Sequence, residues 1–285
     1  MSGQNRNGWP IWPEYAIADS FDYRNKYAII QYLKEIAEES SFYQILLTHN
    51  FDFFRTVHSR FVHYQQCFMA SKDATGITLL PPAGIKNVFV KDWKGNFFAD
   101  NKKKVACIPF MRNIIEYTKG DSDADFLTLT ALLHCKTGSE AITVGQVDAI
   151  YTALFLTTGP STDGDKPMVD LIREEATACL GAAHAANFEN KIVLSIAIRF
   201  MAEQFMVNRI NDAAFVNAID SNQTTRLLSK FRQLFGRDGH TVDVLQRVVL
   251  MTPENIHLNS FMYEPILDMS DEHLRTLYRD VASLH

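Results

Sequence analysis

The sequence predicts an α/β layer over residues 17–100, followed by a mainly α-helical domain over residues 101–285. In the first region, helical segments alternate with short apolar or β-branched runs, which is typical of an α/β layer. From Ile108 onward, apolar residues recur at steps of three and four, the period of an α-helix. Residues 1–16 show no strand pattern and are predicted to form a separate N-terminal segment.

The α/β layer begins with a helix from Tyr23 to about Glu38. The apolar run Phe42 to Leu47 predicts a buried strand, and another helix is expected to begin near Phe51. Residues 64–70 and 87–93 also have strand character.

The helical domain shows a series of amphipathic segments separated by turn signals. Pro109 fits the first turn of a helix, where its missing N–H costs nothing. Thr143 and Gln146 have the spacing of a capping box. Asn222 or Thr224 is expected to cap a later helix. Helices are predicted over 109–119, 123–135, 143–156, 166–185, 189–207, 223–235, 240–250 and 271–283.

The composition is that of a soluble globular protein, with 47% hydrophobic and 21% charged residues in 285. No apolar run approaches the roughly 18 residues of a membrane span, and the N-terminus lacks the pattern of a signal peptide. The four cysteines form no C-x-x-C pair, which indicates buried free thiols in a reducing compartment. We therefore expect a cytoplasmic protein without membrane contact.

The net charge of −5 argues against a nucleic-acid binder held mainly by its overall field. The centre of the chain is nevertheless locally basic. Two interpretations remain open, a solvated turn before a helix and a local binding site for nucleic acid. The basic residues concerned are Lys91, Lys94, Lys102, Lys103, Lys104, Arg112 and Lys119.

Two short motifs flank the first helix–strand unit. Asp19, Ser20 and Asp22 form an acidic turn before the helix, and His49 follows the predicted strand. In this order and spacing, the turn resembles the D-loop of ABC, SMC and RecF ATPases. His49 resembles the switch histidine that senses the γ-phosphate. The resemblance implies that the region is part of an ABC-ATPase head in which these four residues report nucleotide state.

Other parts of such a head are missing from the chain. There is no G-x-x-x-x-G-K-[ST] loop to hold ATP phosphates and no ABC signature. Tyr15 and Ala16 fall where the resemblance places the Walker B aspartate and the catalytic glutamate. We therefore expect the C-terminal portion of such a protein. On its own it is expected to hydrolyse no ATP and to use no cofactor, although intact family members bind ATP and Mg²⁺.

The strongest candidates for catalytic residues in the helical domain are Arg112, Glu116 and His134. Arg112 and Glu116 are four residues apart and therefore share one helix face. Metal-free RNA cleavage needs a base for the 2′-OH, an acid for the leaving oxygen and a cation for the phosphate. The pattern resembles the anticodon nucleases of the PrrC and RloC type. The resemblance implies that these three residues are catalytic and that tRNA is the substrate.

A structural interpretation of the same residues stays open. An Arg–Glu pair at this spacing is a common helix salt bridge, worth about 0.3–0.5 kcal/mol. A histidine between Leu133 and Cys135 is often a half-buried residue of the core. The later segment 254–265, with His257 and Asn259, is predicted to pack against the domain. No residue spacing predicts a metal site.

Two functions follow from the sequence. In the first, the chain is the C-terminal portion of an ABC/SMC-like ATP-binding protein of phage defence, with a helical effector that cleaves tRNA without metal. In the second, it is a non-enzymatic helical module that pairs with a separate ATPase subunit. Self-association or a partner ATPase head is expected in either case, because a half-built sheet leaves an open apolar edge.

Overall fold

A computed structural model describes residues 3–4, 10–11, 23–41, 43–48, 51–72, 76–81, 92–160, 163–182, 188–251 and 271–284. These residues are mainly helical, which confirms the helical domain predicted over residues 101–285. They belong to two compact units. The first comprises residues 1–70 and 79–82, and the second comprises residues 71–78 and 83–285. No helix in the described ranges is long and apolar enough to cross a membrane.

The first unit has a small apolar core. Ile30 and Leu33 of its first helix lie one turn apart and are buried, as are Phe53 and Val57 of the second helix. Such spacing of three and four residues places the apolar side chains on one face of each helix. The elements are β1 (Gly3–Gln4) paired antiparallel with β2 (Pro10–Ile11), α1 (Tyr23–Glu38) and α2 (Phe51–Arg60). Both helices occupy their predicted positions.

The buried strand predicted over residues 42–47 is wrong for the described residues 43–47. No strand is formed there, and the side chains of Tyr43, Ile45 and Leu47 are exposed. Leu46 alone packs against the small core. A strand needs a neighbour to satisfy its backbone N–H and C=O groups, and this segment has none among the described residues.

A two-stranded sheet follows, with β3 at Met69–Lys72 and β4 at Ile77–Leu80. The strand predicted over residues 64–70 is wrong in its first half, because Tyr64–Gln66 forms a 3₁₀ turn. That turn is stabilised by the side chain of Gln66, which accepts a hydrogen bond from the His63 N–H at 3.3 Å.

The second unit is a helical bundle. Its helices confirm the predicted segments, although several boundaries move. The strand predicted over residues 87–93 is wrong at its described end, where Asp92 and Trp93 lie in a helical turn. The helices are α3 (Lys94–Asn96), α4 (Asn101–Lys119), α5 (Ala124–Leu133), α6 (Val144–Phe155), α7 (Met168–Leu180), α8 (Phe188–Ile210), α9 (Ala213–Asn217), α10 (Gln223–Phe235), α11 (His240–Met251) and α12 (Asp271–Ala282).

Helix α4 begins two turns earlier than predicted. Asp100 is its N-cap, and the Asp100 carboxylate accepts a hydrogen bond from the Lys103 N–H at 3.2 Å. Pro109 therefore lies inside the helix, not in its first turn. Residues 104–113 are all buried. Their burial outweighs the backbone hydrogen bond that a proline cannot donate.

Helix α8 is the centre of the bundle and packs against α4, α7, α10 and α12. Residues 192–200 of this helix are buried on all sides, as expected for a central helix. The same helix also buries four polar side chains, Asn190, Ser195, Arg199 and Glu203. A buried charge is costly unless it is paired, so Arg199 and Glu203 are expected to make polar contacts inside the bundle.

Candidate functional site

Arg112 and Glu116 are brought together on α4, as predicted. Arg112 Nη1 donates to Glu116 Oε2 at 3.0 Å and to Asn113 Oδ1 at 2.9 Å. Arg112 Nε donates to the Thr130 hydroxyl of α5 at 2.9 Å. The guanidinium also lies over the Phe126 ring, 4.2 Å from its centroid. The Arg112 side chain is thus fixed in position by both helices.

The two members of this pair differ in exposure. The Arg112 side chain is 9% exposed, whereas the Glu116 side chain is 33% exposed. Burial lowers the pKa of Arg112, and the charge and hydrogen bond of Glu116 oppose that shift. The pair therefore presents its carboxylate to solvent and keeps its cation inside.

His134 is the C-cap residue directly after α5. Its backbone N–H donates to the Thr130 carbonyl at 3.0 Å, so Thr130 contacts both His134 and Arg112. The His134 imidazole itself is bound through Nδ1 to Glu203 Oε1 of α8 at 2.9 Å. The predicted residues thus lie on either side of Thr130, and the direct ionic partner of His134 is a residue that the sequence did not predict.

Glu203 is fully buried and accepts hydrogen bonds on both carboxylate oxygens. Oε1 accepts from His134 Nδ1 and from the Thr224 hydroxyl, at 2.9 and 2.6 Å. Oε2 accepts from the Cys135 backbone N–H and from Gln223 Nε2, at 2.9 and 2.8 Å. The carboxylate therefore joins α5, α8 and α10.

The electrostatics of Glu203 favour its ionised form. Burial raises the pKa of this carboxyl, but the charge of His134 and the hydrogen bonds from His134 and Thr224 outweigh burial. Arg199, one turn earlier on α8, adds to that effect, and the pKa of Glu203 is lowered overall. An ionised carboxylate can only accept, so His134 Nδ1 carries the hydrogen of the shared bond.

A lysine lies beside this cluster. Lys136 Nζ donates to the Ile219 carbonyl at 3.0 Å. Burial lowers the pKa of Lys136, while the charges of Glu203 and Asp220 oppose that shift. The loop after α5 is therefore tied to the loop before α10 through polar contacts of its own.

Sequence reasoning missed Glu203 and Gln223. A clue was present, because Arg199 and Glu203 interrupt an apolar run over residues 192–206. Charges within a helix that is otherwise apolar on all sides are expected to be buried and paired. Asn222 takes the predicted cap position of α10 but makes no side-chain cap bond, and the hydroxyl of Thr224 binds Glu203.

The basic run at the start of α4 is largely neutralised. Lys103 Nζ lies 2.7 Å from Asp92, and the buried Lys104 Nζ lies 2.6 Å from Asp148. These contacts anchor α4 to its surroundings, so Lys103 and Lys104 are not part of a free basic surface. Asp92 itself lies before both α3 and α4 along the chain.

Two sets of predicted residues lie outside the described ranges. They are Asp19, Ser20, Asp22 and His49 of the nucleotide-binding motifs, and His257 and Asn259 of the late segment. Among the described residues, no group of three or more His, Cys, Asp or Glu side chains could hold a metal ion. All four cysteines are free and buried, as predicted. Burial raises the pKa of Cys135 to about 12, so its thiol stays protonated and unreactive.

The chain matches no protein-family model, no curated protein and no solved structure. Any functional argument therefore depends on the chemistry of these contacts. The arrangement offers a half-exposed carboxylate paired with a buried cation, and a histidine whose Nδ1 is fixed by a second, buried carboxylate. Such groups can move protons and balance negative charge.

Proposed function

We propose that the chain is the C-terminal portion of an ABC/SMC-like ATP-binding protein of phage defence, and that its helical part is a metal-independent ribonuclease acting on tRNA. The His134–Glu203 pair carries the proposal. A buried carboxylate bound to Nδ1 is the arrangement by which hydrolases hold a histidine in one tautomer and orientation. Nε2 is then the nitrogen that exchanges a proton with substrate.

The reaction follows from the roles that these residue types can fill. The Glu116 carboxylate accepts the proton of a ribose 2′-OH, and the 2′-oxygen attacks the adjacent phosphorus. His134 gives a proton to the departing 5′-oxygen through Nε2, and Glu203 balances the charge of the imidazolium. Arg112 holds Glu116 and supplies positive charge near the phosphate. The products are a 2′,3′-cyclic phosphate and a 5′-OH end.

Cleavage of total tRNA in excess EDTA tests this reaction. We expect the wild-type chain to give defined cuts with cyclic-phosphate ends, and Glu116→Ala to slow them by about 10²-fold or more. Glu174→Ala is the matched control, because the Glu174 side chain is 60% exposed and pairs with Lys166 at the surface. Unchanged cleavage by a folded Glu116→Ala variant would contradict the proposed base.

The relationship to ABC-type heads rests on the first unit. Helices α1 and α2 precede and follow His49 along the chain, in the order that the resemblance implies. Asp19, Ser20, Asp22 and His49 would report nucleotide state when a complete head is present. We expect the isolated chain neither to bind ATP at micromolar concentration nor to hydrolyse it. A micromolar dissociation constant by isothermal titration would contradict this part of the proposal.

Two observations favour a second function, the non-enzymatic module that pairs with a separate ATPase subunit. Tyr43, Ile45 and Leu47 expose apolar surface of the kind that a partner covers. The three hydrogen bonds of Arg112 are also compatible with a purely structural ion pair. An upstream reading frame encoding G-x-x-x-x-G-K-[ST], in frame or frameshifted, would favour the first function, and a free-standing gene the second.

A further inference from the structure

Arg275 of α12 is a buried cation whose hydrogen-bonding capacity is mostly unused. The residue is 4% exposed. Nη1 donates to the Leu180 carbonyl over a long 3.4 Å, and Nη2 lies 3.9 Å from Asp271 Oδ2, beyond hydrogen-bonding range. Nε and Nη2 have no hydrogen-bond partner in the part of the chain that the structure describes. Buried donors left in this way are costly unless a ligand or water satisfies them.

Asn190, at the start of α8, is a second buried donor of the same kind. It is fully buried, and its Oδ1 accepts a hydrogen bond from the Cys179 thiol at 3.2 Å. Burial raises the pKa of Cys179 to about 11, so this thiol keeps its hydrogen. The amide orientation is thereby fixed, and Asn190 Nδ2 has no partner among the described residues.

Both side chains contact the last turn of α7. Asn190 binds Cys179, and Arg275 reaches the carbonyl of the adjacent Leu180. Arg275 is also close enough to lower the pKa of the Cys179 thiol, although Lys102 does so more strongly and burial outweighs both. Asp271 is paired with Arg275 on α12. Lys102 therefore provides a second positive charge near Cys179, while Glu175 and Asp271 provide negative charge there.

The unused atoms of Arg275 and Asn190 are all N–H donors, so a ligand that binds them is a hydrogen-bond acceptor. Nε and Nη2 are the two nitrogens on one edge of a guanidinium, and that edge binds two oxygens of a carboxylate or phosphate at once. We propose that Arg275 and Asn190 form a small oxyanion-binding site at the C-terminal end of α7. This site is independent of the proposed ribonuclease residues.

Isothermal titration of the full chain at constant ionic strength tests the site. Inorganic phosphate and acetate serve as separate probes of the two oxyanion classes. We expect one of them to bind the wild type saturably with one-to-one stoichiometry. Arg275→Lys should weaken that binding by at least about tenfold, because lysine keeps the positive charge but cannot donate two parallel hydrogen bonds to one oxyanion. Arg279→Lys, at an exposed position one turn later on α12, should bind like the wild type.

Two results would overturn the site. One is the absence of saturable binding of either probe to the wild type, which would mean that internal water satisfies these donors. The other is equal affinity in the wild type and in folded Arg275→Lys. If that variant does not fold, the arginine Nε–Hε NMR signals of the wild type, recorded with and without the anion, provide the test instead. The Arg275 signal must shift with added anion, and an unshifted signal rejects the site.

Discussion

At the scale of single residues, the Glu203 carboxylate joins parts of the chain that are distant in sequence. Its four donors come from residues 134, 135, 223 and 224, none of which is near it in sequence. This explains why the sequence predicted the Arg112–Glu116 pair and missed the partner of His134. The first depends on a fixed helical spacing. The second depends on how α5 and α10 pack against α8, because Glu203 lies 69 residues after His134 along the chain.

Removal of the Glu203 carboxylate should destabilise the protein strongly. Glu203→Ala removes the acceptor of three buried donors, His134 Nδ1, the Thr224 hydroxyl and the Cys135 backbone N–H, and such losses cost about 3–5 kcal/mol. Urea unfolding followed by circular dichroism measures the change in the free energy of unfolding. Glu174→Ala, at a mostly exposed salt bridge, should change it by less than about 1 kcal/mol. Equal effects of the two substitutions would contradict the buried network.

The lowered pKa of Glu203 also fixes the sign of a pH effect. The folded-state pKa lies below the ordinary value of 4.5, so the ionised carboxylate stabilises the native state. That contribution is fully present above the ordinary value and is lost as pH falls through the folded-state pKa. The difference in unfolding free energy between the wild type and Glu203→Gln should therefore shrink below pH 4.5. A difference that stays constant from neutral pH to about pH 3 would exclude this coupling.

At the scale of helices and strands, local chemistry predicted most of the bundle. Helix α10 has its predicted bounds, and α6 begins at the predicted capping box. The wrong predictions have one cause in common: the structure of these segments depends on burial and on pairing with distant residues. Pro109 is accommodated inside the buried part of α4, and residues 43–47 lack the neighbouring strand that their apolar pattern required.

The capping box of α6 should contribute measurably to stability. Thr143 Oγ1 accepts from the Gln146 N–H at 3.3 Å, and Gln146 Oε1 accepts from the Thr143 N–H at 2.8 Å. Thr143→Ala should lower the free energy of unfolding by about 1 kcal/mol. Thr118→Ala, at an exposed position in the last turn of α4, should change it by less than about 0.5 kcal/mol. Chemical denaturation of both variants provides the comparison, and a neutral Thr143→Ala would show that the cap contributes nothing.

At the scale of the whole molecule, the two units raise the question of partners. The exposed Ile45 and Leu47 belong to the first unit, and the proposed self-association or pairing with an ATPase head would cover them. Ile45→Asp/Leu47→Asp should lower the fraction of associated protein in sedimentation velocity. Leu250→Asp is the control, because Leu250 is equally exposed in the second unit. Association that depends on Leu250 and not on residues 45 and 47 would assign the contact surface elsewhere.

We propose that His134, held by Glu203, acts in metal-independent RNA cleavage. Single-turnover cleavage of tRNA in EDTA by the wild type and by His134→Asn tests this role, because the asparagine Nδ2 takes the place of His134 Nδ1 and can still donate to Glu203 but cannot serve as the acid. We expect a rate lower by about 10²-fold or more in a variant whose unfolding transition remains cooperative. Cleavage at the wild-type rate by folded His134→Asn, or no cleavage by the wild type, would rule this role out.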